Sequence, residues 1–245
     1  MIKADNLNMV YGSGTRAATD VTFGIGAGEI VGFAGPNGAG KTTVLKMLTG
    51  VLKPTSGTAS IAGFDIVRQP MEAKRSFAYI SDNPDVLLQL TGAEYINLIA
   101  DIYGVSVSDR KERAERLAAR FSVTDKLGIQ MREYSHGMRQ KMMIIAALVH
   151  EPKVWILDEP MTGLDPAASY ELKQLMKEHA AKGNSVLFST HVLEVAEKLC
   201  DRIIIIDRGT IVYDGTVDGL LAEHEGMDLE EIFVTITSGD IDENS

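Results

Sequence analysis

Residues 35–42 read Gly-Pro-Asn-Gly-Ala-Gly-Lys-Thr. Gly35, Gly38 and Gly40 let the backbone curl with its N–H groups turned inward, and a helix beginning at Lys41 adds the partial positive charge of its N-terminus. The pattern G-x-x-x-x-G-K-[ST] carries this meaning only between a strand and a helix. Both flanks are present, since 29–34 reads as a strand and 41–49 as a helix. Residues Gly35, Pro36, Asn37, Gly38, Ala39, Gly40, Lys41, Thr42 and Thr43 are therefore expected to cradle a phosphate chain. In that cradle Lys41 reaches the β- and γ-phosphates and the Thr42 hydroxyl ligates Mg²⁺.

A second segment, Val-Trp-Ile-Leu-Asp-Glu-Pro at 154–160, sets carboxylates at the end of an apolar strand. Open α/β sheets bind ligands at the carboxyl ends of their strands. Asp158 is placed to hold Mg²⁺ through water and Glu159 to polarise an attacking water. A third segment, Ser135-His136-Gly137-Met138-Arg139-Gln140, precedes a long apolar helix. It is either an ordinary helix cap or another anion-binding turn. The fourth, Ser189-Thr190-His191, follows a buried strand; its imidazole can donate to a phosphate oxygen or simply begin a helix.

Around these segments the chain alternates. Strands are expected at 2–7, 21–25, 29–34, 58–61 and 77–81, and a helical block at 91–150, opened by a Thr91–Glu94 capping box. Within it, 109–121 mixes Arg with Glu as a solvated helix face does. After Pro152 come a strand at 154–157, a helix at 166–182, a strand at 185–189, a helix at 191–200 and a hairpin at 202–213. Buried strands alternating with helices imply a parallel sheet covered on both faces. The expected division is 1–90, 91–150, 151–220 and a C-terminal tail at 221–245, acidic and disordered from Asp240.

Composition narrows the partners. With 245 residues and a formal charge of −10, the chain lacks the basic excess that sequence-independent nucleic-acid binding needs. Cys200 is the single cysteine, so no internal disulfide forms, and it reads as a partly buried structural thiol. The apolar runs fall short of the ~20 residues that span a bilayer, so a transport role requires a separate membrane-spanning partner.

GPNGAGKTT, YSHGMRQK, WILDEPMTGLDP and STH, in this order, resemble the ABC ATPases over about residues 2 to 220. The resemblance implies an α/β fold: a P-loop NTPase (RecA-like) core, an N-terminal antiparallel β subdomain and an inserted α-helical subdomain. It implies that Tyr11 stacks on adenine and that Ser135 and Gly137 touch the γ-phosphate across a head-to-tail dimer. Residues 163–165 then join the two sites, and His191 is the switch histidine. Catalysis would rest on Glu159, His191 and Lys41, with the metal held by Thr42, Asp158 and Asp82. The sequence departs from the family twice. Its signature reads S-H-G-M where S-G-G-Q is commonest, and Asp82 stands where Gln is usual. YSHGM and the ending DLEEIFVTIT resemble the ATPases of ABC-2-type exporters. The expectation is an ATP-hydrolysing subunit on the cytoplasmic face of a membrane, peripheral, driving a separate transmembrane permease as a head-to-tail dimer, expected to be a homodimer. The alternative is a non-transport ABC ATPase acting on nucleic acid or ribosomes; its relatives carry long coiled-coil insertions or paired cassettes, and neither is visible.

Overall fold

The computed structural model describes residues 1–224 and 226–238. The chain opens with β1 (Ile2–Val10), β2 (Arg16–Ile25), β3 (Ile30–Ala34), α1 (Lys41–Leu48), β4 (Ser56–Ile61), β5 (Phe64–Asp65), α2 (Pro70–Ser76) and β6 (Phe77–Ile80). A helical stretch follows: α3 (Gly92–Ile102), α4 (Val107–Arg120) and α5 (His136–Leu148). The chain continues through β7 (Val154–Leu157), α6 (Pro166–Ala181), β8 (Ser185–Thr190), α7 (Leu193–Leu199), β9 (Arg202–Asp207), β10 (Thr210–Thr216), α8 (Val217–Glu223) and α9 (Leu229–Ser238).

Two sheets result. One is antiparallel, in the order β2-β1-β4-β5; the other runs β10-β9-β3-β8-β7-β6, with only β10 antiparallel to its neighbour. The strands of the second sheet read as unbroken apolar runs because both faces are covered. Alternate residues serve opposite cores. Trp155, Leu157, Ile203 and Ile205 join the core built with α3 to α9, while Val154, Ile156, Ile204 and Ile206 join the core under α1 and the antiparallel sheet. That alternation is the two-residue period of a strand.

β6 and β7 are hydrogen-bonded neighbours, with Ile80 opposite Leu157. Everything from 81 to 153 is thus the crossover of one parallel pair, which is what makes the helical stretch an insertion. Its start is fixed locally: Thr91 Oγ1 accepts from the Glu94 N–H at 3.2 Å, and a Glu94 carboxylate oxygen accepts from the Thr91 N–H at 2.8 Å.

Several expectations need correction. β5 and α2 have no counterpart in the sequence reading. The helix expected over 191–200 begins at Leu193, because the Val192 N–H bonds to Thr190 Oγ1 and Val192 is extended, which leaves His191 in a turn. Residues 221–238, set apart as part of a tail, are largely helical in α8 and α9, and Leu229 and Ile232 are buried in the main core. The acidic stretch from Asp240 lies outside the described residues. Cys200 is buried, and burial pushes its thiol pKa up, as a structural role requires.

Candidate active site

The carboxyl ends of β3, β7 and β8 lie side by side, with Phe33 opposite Ser189 and Leu157 opposite Phe188. The loop after β3 turns tightly at two glycines. A Cβ at Gly35 would sit 2.4 Å from the Ile206 carbonyl, and one at Gly40 (φ 106°) 2.3 Å from the Ala17 carbonyl. Side chains at either position would push the loop off the sheet edge. Lys41 is buried and donates to the Gly35 carbonyl at 2.6 Å and the Pro36 carbonyl at 3.2 Å. Burial lowers its pKa, and the carboxylates of Glu159 and Asp158 pull it back up. The ammonium lies 3.9 Å from Glu159 Oε1.

Asp158 begins the β7 loop, its N–H bonded to the Ile80 carbonyl at 2.8 Å. Its side chain is fully buried. Burial raises its pKa, and the hydroxyls of Ser189 and Thr42 oppose that shift. Oδ1 accepts from Ser189 Oγ at 2.6 Å, and Oδ2 has no hydrogen-bond partner. A buried carboxylate oxygen without a partner is costly. Such an oxygen beside a Thr hydroxyl fits a hard cation that takes its remaining ligands from water and phosphates. Among the described residues no three His, Cys, Asp or Glu side chains could hold a metal by themselves, and a Mg²⁺ bound with phosphates needs no such set. Thr42 and Asp158 would hold it; bound there, it supplies charge neutralisation on the phosphate oxygens.

Glu159 adopts the left-handed backbone conformation, φ 47°. Its N–H donates to Ser189 Oγ at 2.8 Å, and its Oε2 lies 2.8 Å from His191 Nδ1. The cleft beside this pair, about 280 Å³, is lined by Glu159, Thr162, Ser189 and His191 among others. Asp82 follows β6 at the neighbouring strand end. Its charge raises the pKa values of both Asp158 and the buried Tyr79 phenol, behind the larger effect of burial in each. Tyr11 is part-exposed, its hydroxyl 3.1 Å from Thr43 Oγ1 at the start of α1.

The fold thus gathers Lys41, Thr42, Asp158, Glu159 and His191, with Asp82 and Tyr11 at the margins. Ser135 and Gly137 are elsewhere. Ser135 caps α5, its hydroxyl accepting from the Met138 N–H at 3.3 Å, and Gly137 packs on Gly163; among the described residues neither bonds to the phosphate loop. Sequence reasoning missed Ser189 and Tyr79 as site residues. Both are ordinary strand residues by pattern, and only the spacing of Ser189 from His191 offered a signal.

This arrangement is that of a nucleoside triphosphatase of the phosphate-loop class. Residues 18–162 match the ABC transporter family, and the chain belongs to it. It is 35 % identical over 221 residues to the ABC transporter ATP-binding protein NatA of Bacillus subtilis, covering 90 % of each chain. It is 37 % identical to the doxorubicin resistance ATP-binding protein DrrA of Mycobacterium tuberculosis, covering 89 % of this chain and 66 % of that longer one. Among solved structures, an ATP-binding subunit of an ABC transporter superposes with a TM-score of 0.91 at 36 % identity, over 96 % of this chain and 99 % of that one. The chain is an ABC-type ATPase, the ATP-binding subunit of a transporter, with the P-loop fold expected from its sequence.

Proposed function

We propose that two copies of this chain close head to tail on ATP and Mg²⁺ and so drive a separate transmembrane permease, most simply in the outward direction. The observation that carries the dimer is the separation of Ser135 and Gly137 from this chain's own phosphate loop: an anion-binding helix start is free to face a second chain's nucleotide. All of Lys41, Thr42, Asp158, Glu159 and His191 are in place, so a homodimer has two complete sites.

In each site Lys41 offsets charge on the β- and γ-phosphates. Glu159 accepts a proton from the attacking water, and His191 holds the carboxylate that does so. Tyr11 stacks on the base. No helix among the described residues is long and apolar enough to cross a membrane; the family membership is what supports a peripheral subunit at the cytoplasmic face. The outward direction draws on the resemblance of the signature and of residues 228–237 to ABC-2-type ATPases. A relative named for doxorubicin resistance supports this reading.

Glu159→Gln tests the proposal. Removing the base while keeping the loop should slow hydrolysis at least ~100-fold, and size exclusion with Mg-ATP should show a stable dimer. A Glu159→Gln protein that hydrolyses at the wild-type rate, or stays monomeric with Mg-ATP, counts against it.

A further inference from the structure

The signature turn is fastened to the loop that carries Glu159. His136, Gly137, Gln140 and Lys141 lie on one face of α5, and all four meet residues 160–165. A Cβ at Gly163 (φ 78°) would lie 2.3 Å from His136 Cδ2 and 3.0 Å from Nε2, so the edge of the imidazole rests on the Gly163 backbone. A Cβ at Gly137 would lie 2.3 Å from the Gly163 carbonyl oxygen. Gln140, 1 % exposed, donates to the Pro160 carbonyl at 3.5 Å. Lys141 Nζ pairs with Asp165 Oδ2 at 2.6 Å, while Asp165 Oδ1 caps α6 by accepting from the Ala168 N–H at 2.8 Å.

These contacts differ in strength. The Lys141–Asp165 pair is half open to solvent on the Asp side, and such pairs contribute little. The Gln140 bond is long. The ring of His136, exposed on its outer side, lies against Gly163, while the Gly137 backbone meets the Gly163 carbonyl. At the other end of the same loop Glu159 is a non-glycine residue in the left-handed region. Such a conformation is strained and persists only where the surroundings impose it.

We propose that His136 is a positioning residue: its ring wedges the 159–165 loop against α5, so that the orientation of Glu159 and the position of Ser135 and Gly137 are set as one unit. The inference rests on the dimer reading above. In that dimer the signature of a chain meets its partner's nucleotide, so its engagement there orients the chain's own Glu159. The two sites are then coupled in free energy.

The test is steady-state hydrolysis and nucleotide binding by His136→Ala, His136→Phe and Gly163→Ala, with circular dichroism confirming the fold of each. His136→Ala should lower kcat about 10-fold, as expected for a misplaced catalytic group. Nucleotide Kd should stay within about twofold, because the phosphate loop is untouched. The Hill coefficient for ATP should fall to about 1, the value for independent sites. His136→Phe, which restores a flat ring edge, should recover most of the rate and the cooperativity. Gly163→Ala both displaces the ring and strains a left-handed backbone position, so its loss of kcat should be at least that of His136→Ala. Unchanged kcat and cooperativity in His136→Ala, or a loss that His136→Phe does not repair, overturns the wedge. Should Glu159→Gln alone fail to dimerise, the dimer reading is lost with its cooperativity arm, and the split between kcat and Kd still decides the role of His136.

Discussion

The hydroxyl of Ser189 donates to Asp158 Oδ1 and accepts from the Glu159 N–H. One side chain on β8 therefore orients both carboxylates at the end of β7. Ser189→Ala should cost about 10- to 100-fold in kcat, as removal of a supporting hydrogen bond at such sites does, and thermal melting tells whether the loss is only instability. Lys41 and Tyr11 should separate in kinetics. Lys41→Ala removes charge that matters most as the phosphoryl group departs, so hydrolysis should vanish and binding weaken. Tyr11→Ala removes an interaction common to ground and transition states, so Kd should rise with little change in kcat. A Tyr11→Ala protein of unchanged affinity removes the ring from the base-binding role.

Between residues and the whole lies the segment from β6 to α5. Backbone bonds from the Met131 and Arg132 N–H groups to the Leu90 and Leu88 carbonyls tie the loop after β6 to the short 3-10 turn (Met131–Glu133) ahead of α5. Arg139 reinforces this with all three of its guanidinium nitrogens, donating to the Met131 and Arg132 carbonyls at 3.0 Å each and to Asp85 at 2.6 Å. Asp82 therefore sits at the active-site end of a loop whose other end is bonded to the signature element. Loops on a fixed sheet can move and carry signals. An ionised acid at this position accepts hydrogen bonds and donates none. Asp82→Ala is expected to change hydrolysis by the isolated subunit modestly and to abolish most of its stimulation by the assembled membrane partner. Full stimulation in the assembled Asp82→Ala complex would return Asp82 to a turn residue ahead of Pro84.

At the scale of the whole molecule, two histidines brace the packing of the helical insertion and of α6. His150 stacks on Tyr103 with ring centroids 3.7 Å apart, and His179 on Trp155 at 4.1 Å. Burial lowers the pKa of each from 6.5 to about 4. The folded state thus binds these protons less readily than the unfolded state. Stability is complete above pH 6.5 and declines as pH falls toward 4. At pH 5 the loss is roughly 1–2 kcal/mol for each. Melting temperature should fall between pH 7.5 and 5, and His150→Phe, which keeps a ring against Tyr103, should lessen the fall. An equal fall in both proteins would show that His150 is not responsible.

The features that can be read along the chain are those whose physics is local. The phosphate loop is legible because its glycines and Lys41 work within a few residues, and the Thr91–Glu94 cap because it closes over one helical turn. The strand under Asp158 shows in four consecutive apolar residues. β5 and α2 escaped because a two-residue strand and a short helix have too little periodicity to register. That Ser189 holds both carboxylates, that His191 meets Glu159 and that His136 lies on Gly163 are consequences of long-range packing. These partners are separated by 27 to 32 residues, and no local pattern encodes them. They meet because the parallel sheet brings the ends of β7 and β8 together and the packing of α5 against the core brings its first turn to the loop.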